Sequence, residues 1–526
     1  MPERKTLLRT AGSISLATLV SRVLGLARDQ VQSYYFGAGA LTDAFVAAFR
    51  IPNLLRDLFA EGALSSAFVP TFTAERERSG SDAAWRLANR VLSALAVILG
   101  ALTVILAVFA PQIVPFYAPG FSPEKAALAV TMTRILAPFL LCVALAAVAM
   151  GVLNTCGRFF LPALAPAAFN LAAILAVIAL SPVLPRFGLA PVLSLALGAM
   201  AGGLLQFLVQ VPALRREGYR FRFDLAFADP GLRRVGRLML PAVFGLAATQ
   251  INILVDTILA SKMGDGPPTW LAIAFRLMQL PLGLFGVAIA TANLARVSRD
   301  VARQDHDALR ASLAGALRAA ALLTLPATAG LIALARPIVR VLFEHGRFDA
   351  ADTEATALAI VCYAFGLYAY SVTKIQVPTY YALGDTRRPV LASAVSVSAK
   401  IGANFVLIAL LRRLGLPVHL ALALSTSLAA WLNFVQLGVG LRARVGSLSA
   451  HAVTATTLRL LLVSAAVGMV AYGAYAGLTA ALPGGGTARE MVRLLLAAFL
   501  GLAVWAGGCA WMRLPEAEAL WKRFAR

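Results

Sequence analysis

Long apolar stretches recur along the whole chain and are separated by short polar segments rich in glycine and proline. A helix that crosses a lipid bilayer needs about 20 mostly apolar residues. If the polar clusters are loops, the pattern predicts about fourteen such helices. Their predicted centres lie near residues 25, 55, 102, 138, 172, 200, 250, 283, 328, 367, 400, 430, 468 and 502. The chain is therefore predicted to be an all-α polytopic membrane protein.

The chain also repeats itself at an offset of about 226 residues. The matching positions are Ala48-Phe49-Arg50 with Ala274-Phe275-Arg276, Leu58-Phe59 with Leu284-Phe285, Pro111 with Pro337, Gly120 with Gly346 and, one residue out of register, Asp29 with Asp256 and Gly37 with Gly264. Since this offset covers six predicted helices, an even number, both copies have the same orientation in the membrane. The repeat predicts two parallel six-helix halves related by a pseudo-two-fold axis, and such halves commonly enclose a central site.

The repeat sets the predicted domain organisation. Residues 1–222 are predicted to form an N-terminal lobe of helices one to six, and residues 223–446 a C-terminal lobe of helices seven to twelve. Residues 447–526 supply helices thirteen and fourteen, which lie outside the duplication and whose predicted spans carry no charge. No soluble domain is predicted.

Composition and charge agree with a membrane protein. The chain is 60% hydrophobic and only 14% charged, too little charge to cover a soluble protein of 526 residues. Its net charge of +22 does not indicate nucleic-acid binding, because most cations fall in short loops. Placing both termini in the cytoplasm puts roughly three times as many Lys and Arg inside as outside, as the positive-inside rule requires. The four dispersed cysteines predict neither a disulfide framework nor a metal site.

The longest polar connection runs near Arg215 to Arg237 and contains seven arginines. One interpretation is a basic amphipathic segment held on anionic lipid. The other is an ordinary positive-inside loop, which we favour from the sequence.

Charges also lie inside the predicted spans, where each costs about 2.5–3.5 kcal/mol on insertion scales. The eight cations are Arg22, Arg28, Arg50, Arg56, Arg134, Arg276, Lys374 and Lys400, and the five acids are Asp29, Asp43, Asp57, Glu61 and Asp256. Internal pairing could simply lock helices together, but it leaves an excess of cations. Arginine binds phosphate oxygens through a planar fork and stays charged at accessible pH. The balance therefore predicts an anionic cargo in an interior cavity.

Several of these residues stand in motifs that together point to one family. In chain order the motifs are Ser21-Arg22-Val23-Leu24-Gly25-Leu26-Ala27-Arg28-Asp29, Phe36-Gly37-Ala38-Gly39, Thr42-Asp43-Ala44-Phe45, Ile51-Pro52-Asn53-Leu54-Leu55-Arg56, Phe59-Ala60-Glu61-Gly62-Ala63, Ala67-Phe68-Val69-Pro70, Phe275-Arg276-Leu277-Met278-Gln279-Leu280-Pro281 and Tyr381-Ala382-Leu383-Gly384-Asp385-Thr386. On these residues the chain resembles the MurJ (MviN) lipid II flippases. The similarity spans nearly the whole chain, including two helices beyond the twelve usual in the wider superfamily.

The resemblance implies a bacterial inner-membrane flippase of the multidrug/oligosaccharidyl-lipid/polysaccharide exporter superfamily. The implied cargo is lipid II, undecaprenyl diphosphate carrying the disaccharide-pentapeptide of peptidoglycan, and the implied partners are this lipid and membrane lipids. The positions implied to bind its headgroup are Arg22, Arg28, Asp43, Arg56 and Arg276, and the supporting cavity charges are Asp29, Arg50 and Glu61. Helices thirteen and fourteen would form a groove for the lipid tail. Neither an enzymatic activity nor a cofactor is implied.

Some members of the family bind sodium between helices seven and eleven. Asp256 matches the helix-seven position and is a weak candidate for ion coupling, whereas helix eleven offers Lys400 and Asn404 without a carboxylate. No metal site is therefore predicted. Coupling of transport to the membrane potential stays open as an alternative to sodium coupling.

Three alternatives stay open from the sequence. A flippase for another lipid-linked oligosaccharide would share the cationic cavity. A cation-coupled drug antiporter of the same superfamily would show an acid-rich cavity and twelve spans. A membrane enzyme acting on prenyl phosphates would need a metal-binding acidic cluster or a His or Cys nucleophile, and the sequence shows no such motif.

Overall fold

The computed structural model describes residues 2–57, 64–448, 452–484, 486–513 and 517–518, and over these ranges it contains helices and turns but no strand. The helices are α1 (Pro2–Phe36), α2 (Ala40–Arg56), α3 (Leu64–Tyr117), α4 (Pro123–Leu136), α5 (Phe139–Thr155), α6 (Phe160–Leu180), α7 (Leu193–Leu208), α8 (Val211–Arg216), α9 (Pro230–Ser261), α10 (Pro267–Pro281), α11 (Val287–Ala302), α12 (His306–Ala333), α13 (Ala335–Phe343), α14 (Ala350–Ala364), α15 (Leu367–Ala382), α16 (Arg387–Arg413), α17 (Leu420–Val445), α18 (Val453–Ala481) and α19 (Thr487–Trp511). The predicted all-α class is confirmed.

Helices dominate because a chain in lipid must satisfy its backbone polar groups internally. Their starts follow ordinary capping chemistry. The Asp229 carboxylate accepts a hydrogen bond from Leu232 N (2.9 Å) and precedes a proline, so α9 begins at Pro230. The Asp305 carboxylate accepts one from Ala308 N (2.9 Å) and starts α12 in the same way.

Among the described residues, ten helices are long and apolar enough to cross a membrane, or eleven if the bent pair α14 and α15 is one span. Every predicted centre falls in a helical segment except the one near residue 138, which lies at the two-residue break between α4 and α5. The centre near residue 283 falls in the π-helical turn Leu282–Gly286 between α10 and α11. The chain is thus a multi-pass membrane protein. The number of fourteen spans stays a prediction, because three of the helices predicted to span do not qualify by length and apolarity alone. They are charged α1, the 17-residue α2, and α9, in which only the shorter segment Gln250–Ser261 is apolar.

The first compact unit comprises residues 1–269 together with 346–348. Within it, α1 packs on α6, α6 on α7, α3 on α5 and α9, and α2 on α4. Its buried core has two centres, one around Phe68, Phe72 and Phe139, and another around Tyr117 and Met132. α3 is interrupted at Gly80, whose φ of 81° breaks the helix after its polar first part.

The second unit comprises residues 270–345 and 349–526. Here α12 packs on α18, α18 on α19, α16 on α17, and α15 on α17. Its main core includes Leu313, Leu325, Tyr380 and Leu437, with Cys509 of α19 in the same cluster.

The two units differ from the predicted lobes in the assignment of α9. The prediction placed this helix in the C-terminal lobe, but it packs along α3 and belongs to the first unit. The lobe boundaries therefore remain predictions from the sequence repeat. The repeat itself has a structural counterpart, because matched glycines end the first helix of each copy. Gly37 follows α1 with φ 66°, and Gly264 follows α9 with φ 92°.

Candidate functional site

Arg28 and Asp29 form an ion pair in the second half of α1. Arg28 Nη2 lies 2.9 Å from Asp29 Oδ1, and Arg28 Nε donates to the same oxygen at 3.3 Å. The guanidinium also lies over the ring of Phe169 on α6, 5.5 Å from its centroid. Only 14% of the Arg28 side chain is exposed. The arginine is therefore kept charged in an apolar setting by a carboxylate and an aromatic face.

The close packing of α1 on α6 fixes this pair. Asn170 Nδ2 donates to the backbone carbonyl of Ser21 at 3.0 Å, so a side chain of α6 is hydrogen bonded to the backbone of α1. A Cβ on Gly25 would lie 3.5 Å from Asn170 Nδ2, so this glycine allows the two helices to approach. Arg22 lies on the same helix, and it is exposed.

Arg56 ends α2 and pairs with the residue that follows it. Its Nη2 lies 2.9 Å from Asp57 Oδ1, and both side chains are partly exposed. Arg50, two turns earlier on α2, is also partly exposed. The predicted supporting charge Glu61 lies outside the described residues. α2 therefore carries two of the predicted arginines on either side of its buried Pro52. Arg50 lies two residues before the proline and Arg56 lies four residues after it.

Asp43, the remaining α2 position, is completely buried and surrounded by donors. Its carboxylate accepts hydrogen bonds from Gly266 N (2.7 Å), Thr269 N (3.1 Å), Thr269 Oγ1 (2.7 Å) and Lys125 Nζ (2.9 Å). These contacts cap the start of α10 and neutralise a buried lysine. Its role as a headgroup ligand stays a prediction, since all of these contacts are made to protein groups.

The sequence pattern does not single out Lys125, which is nonetheless central to this cluster. Its ammonium lies between Asp43 and Asp265 (2.8 Å to Oδ1) and 4.3 Å from the ring centroid of Phe121. The one available signal is a lone lysine opening an apolar stretch at the start of α4. Such a lysine needs a carboxylate partner if it is buried.

The second unit holds the remaining predicted cations. Arg276 lies on α10 and Lys374 on α15, and both are exposed. Lys400 is buried at the middle of α16, on the same helix as buried Asn404, whose amide oxygen accepts a hydrogen bond from Ser425 of α17. A charged residue in this position agrees with the predicted cationic interior of the protein.

No group of three or more His, Cys, Asp or Glu side chains able to hold a metal ion occurs among the described residues. Asp256, the weak candidate for ion coupling, is partly buried on α9. Its role stays a prediction.

Two features of the C-terminal helices bear on the predicted tail groove. A cavity of ≈ 240 Å³ lies where α12, α17 and the start of α18 meet, lined mostly by apolar residues such as Leu313, Leu441 and Val453, and by Arg442. The prediction that helices thirteen and fourteen carry no charge is wrong for α18, which contains Arg459, and for α19. Glu490 and Arg493 are buried near its start, where they pair with each other at 2.7 Å. The predicted span was centred near residue 502 and therefore did not include them.

Known proteins with similar sequences agree on one family. A family model described as lipid II flippase MurJ matches residues 32–482. The lipid II flippase MurJ of Burkholderia cenocepacia is 38% identical over 445 residues, which cover 83% of this chain and 84% of that protein. The probable lipid II flippase MurJ of Vibrio cholerae is 35% identical over 446 residues, 83% of each chain.

Solved structures give the same result. A lipid II flippase MurJ in an inward closed conformation matches with a TM-score of 0.77 and 26% identity, covering 95% of this chain and 99% of that one. A multidrug resistance MATE family transporter of the MOP superfamily, in an inward-facing conformation, matches with a TM-score of 0.64 over 82% of this chain and 96% of its own. At 16% identity this second likeness shows a shared fold only. The family model and the relatives that cover most of the chain together show that it belongs to the MurJ lipid II flippase family.

Proposed function

We propose that the protein moves lipid II from the cytoplasmic to the periplasmic leaflet of the bacterial inner membrane by alternating access, and that cavity arginines bind the diphosphate. The observation that carries the proposal is Arg28, a mostly buried arginine held inside α1 by Asp29 and Phe169. Burying such a cation is costly, so its mostly buried position on α1 indicates a function. The names of the family and of its relatives support lipid II as the cargo.

The charge balance of α1 and α2 supports an anionic headgroup. On α1, Arg22 and Arg28 face a single acid, Asp29. On α2, Arg50 and Arg56 are accompanied by Asp57, which pairs with Arg56, and by Asp43, which is already engaged by Lys125 and the start of α10. A diphosphate could bind these guanidinium groups through bidentate hydrogen bonds. Arg276 is proposed to contact the same headgroup from α10 during transport, because it repeats Arg50 of α2 at the 226-residue offset.

Residues 447–526 are proposed to accept the prenyl tail. The support is the cavity of ≈ 240 Å³ at the start of α18, whose lining is mostly apolar with Arg442 as its one cation, and which could hold part of the hydrocarbon chain. A tail lying there stays in an apolar setting while the headgroup moves.

The experiment is flipping of lipid II by purified protein in vesicles, with Arg28→Ala and Arg276→Ala tested separately. Both should abolish flipping and leave insertion in the membrane intact. Arg28→Lys should keep only part of the activity, because an ammonium is a point charge without the guanidinium fork. Arg186→Ala, at an exposed arginine in the connection between α6 and α7, is the control and should flip at the wild-type rate. Wild-type flipping by either Arg28→Ala or Arg276→Ala would overturn the assignment.

Cargo identity needs a cellular test. The gene for this protein replaces the resident lipid II flippase of a depletion strain, and peptidoglycan synthesis is followed after depletion. Restored synthesis is expected. Failure despite normal expression in the membrane would shift the assignment to another lipid-linked oligosaccharide.

We also propose that both termini are cytoplasmic. The support is the exposed arginine-rich connection between α8 and α9, which the positive-inside rule places in the cytoplasm. In a variant whose four cysteines are replaced by serine, Arg220→Cys should react with a membrane-impermeant maleimide only from the cytoplasmic side. Arg186→Cys, one span away, should react only from the periplasmic side, and the reverse pattern would refute the orientation.

A further inference from the structure

The connection between α8 and α9 contains residues 219–226, which have no regular secondary structure, and a turn at residues 227–228, and it is hydrogen bonded to α3. Asn89 Oδ1 accepts a hydrogen bond from the Tyr219 hydroxyl at 2.6 Å. Ser93 Oγ accepts one from Asp224 N at 3.0 Å. A loop fixed at several points to a spanning helix has a defined position, which an ordinary solvated loop does not need.

The place of attachment lies at the edge of the apolar part of α3. Before Asn89 the helix contains a stretch rich in charge, from Glu75 to Arg86, whereas residues 91–117 are almost entirely apolar. Since the apolar part is the portion able to lie in hydrocarbon, the 219–229 segment sits at the boundary between the bilayer and water.

The acidic residues of this region are all neutralised by cations from elsewhere. Glu217 pairs with Arg158 at 2.8 Å, and Asp224 pairs with Arg90 at 2.9 Å. Asp229 pairs with the same Arg90. The arginines of the region are all exposed, and none of them forms an ion pair within the described part of the chain. They are Arg215, Arg216, Arg220, Arg222, Arg233, Arg234 and Arg237. The surface therefore carries an uncompensated positive charge.

Large apolar side chains are interleaved with these arginines. Phe221, Phe223, Leu225 and Phe227 occupy alternate positions and are between 42% and 62% exposed. These four exposed side chains, three before the turn at residues 227–228 and Phe227 within it, form an apolar strip along the connection. The polar residues between them supply the attachment to α3.

A groove continues this surface onto the first turns of α9. It has a volume of ≈ 570 Å³ and is lined by Ala228, Pro230, Arg233, Arg234, Arg237 and Leu238. Three guanidinium groups around an open groove match the size and charge of a phosphate-containing headgroup.

We propose that residues 219–238 form a docking surface for the anionic phospholipids of the adjacent leaflet. The apolar strip enters the headgroup region, and Arg233, Arg234 and Arg237 bind the lipid phosphates. A soluble acidic partner would match the charge alone, whereas the strip of aromatic side chains at the hydrocarbon edge matches a lipid surface. The structure thus favours the lipid-bound interpretation of this connection over an ordinary positive-inside loop.

The test measures lipid binding without lipid II, so that its outcome is independent of the proposed transport function. Full-length protein in neutral detergent is titrated with phosphatidylglycerol or phosphatidylcholine, and bound lipid is counted by native mass spectrometry. The test variants are Arg234→Gln/Arg237→Gln, which spares the Arg233 hydrogen bond to Phe227 O, and Phe221→Ser/Phe223→Ser. The matched control, Arg186→Gln/Lys262→Gln, removes two exposed cations from other connections of the same unit.

Each arginine near an anionic surface strengthens binding about fivefold, so the arginine pair should weaken phosphatidylglycerol binding roughly 30-fold. The phenylalanine pair should also weaken it, while the control stays within about twofold of wild type. Phosphatidylcholine binding should change in the phenylalanine variant only. An equal loss in the control, no loss in the arginine variant, no loss in the phenylalanine variant, or displacement of the lipid by equimolar inorganic phosphate would each overturn the proposal.

Discussion

Asp43 and Thr269 occupy the same position in the two sequence repeats, 226 residues apart, and are hydrogen bonded to each other. Thr269 donates through both its backbone N–H and its hydroxyl to Asp43 Oδ1. Two further contacts between the sequence repeats correspond to each other. Gly120 packs on Ser261 at the end of α9, and its repeat partner Gly346 packs on Tyr34 near the end of α1. The weak sequence matches therefore mark positions that are equivalent in the fold.

Replacing Asp43 with Asn should destabilise the protein strongly. The substitution keeps the size of the side chain but removes the negative charge that Lys125 needs, and only the exposed Asp265 then remains beside this buried ammonium. Breaking a buried ion pair typically costs about 3–5 kcal/mol. The measurement is the thermal unfolding midpoint of purified protein in detergent.

Asp265→Asn is the matched control, because Asp265 pairs with the same lysine but its side chain is 64% exposed. An exposed pair contributes about 0–1 kcal/mol, so its midpoint should stay close to that of the wild type. Equal midpoints for the two variants would show that the buried Asp43–Lys125 pair stabilises the protein no more than the exposed Asp265–Lys125 pair does.

Gly120→Ala should also lower stability, because the new Cβ would overlap the backbone carbonyl of Ser261. Backbone cannot rotate away as a side chain can, and overpacking of this kind costs about 1–3 kcal/mol. Gly100→Ala is the control, since a Cβ there meets nothing within 4 Å inside α3. It should be neutral or stabilising by roughly 0.5–1 kcal/mol. A midpoint for Gly120→Ala at or above that of Gly100→Ala would contradict the predicted overlap.

The helical fold could be predicted from the sequence because apolar runs in lipid have few alternatives to helix. Helix ends were less predictable. α3 begins at Leu64, far before the apolar residues 91–117, because the polar residues on both sides of the break at Gly80 also form helix. Such a stretch gives no apolar signal.

The candidate site was predicted in its residue types but not in its contacts. Arg28 and Arg56 pair with the aspartates that follow them, which adjacency suggests. The lysine partner of Asp43 lies 82 residues further along the chain, and periodicity carries no information about contacts at that distance. The buried Glu490 and Arg493 lay beyond the predicted apolar centre of their helix and were missed for that reason.

Asp385 should make the connection between α15 and α16 sensitive to acid. The backbone N–H of Arg388 donates to its carboxylate, and this hydrogen bond, with the nearby guanidinium of Arg444, holds the pKa of Asp385 below its ordinary value of 3.8. A lowered native pKa means that the ionised form stabilises the fold above the unfolded pKa, and that this contribution is lost as the pH falls below about 3.8.

The measurement compares the unfolding midpoints of wild type and Asp385→Asn between pH 6 and pH 3. The wild type should unfold at the higher temperature near pH 6, and the difference should shrink as the pH falls through the titration of Asp385. Asp265→Asn provides a control for the general effect of removing a carboxylate from a loop. A difference between wild type and Asp385→Asn that is constant across the whole pH range would disprove the assignment.

Arg493 should hold the connection between α18 and α19 in place. Its side chain is only 3% exposed, and its guanidinium donates to Glu490 and to the backbone carbonyls of Leu482 and Gly484. Glu490 in turn accepts a hydrogen bond from the Tyr475 hydroxyl at 2.6 Å. Arg493→Met keeps the length of the side chain but leaves a buried carboxylate and two carbonyls without this donor, at a cost of about 3–5 kcal/mol.

Hydrogen–deuterium exchange of residues 482–490 provides the measurement, since backbone exchange reports local opening. Arg489→Met is the matched control, because Arg489 donates to Pro483 O in the same connection but is exposed. Exchange should rise strongly in Arg493→Met and little in Arg489→Met. If the two variants exchange equally, the buried ion pair does not hold the connection. If only Arg493→Met exchanges faster, burial of the Glu490–Arg493 pair fixes the α18–α19 hairpin that is proposed to receive the lipid tail.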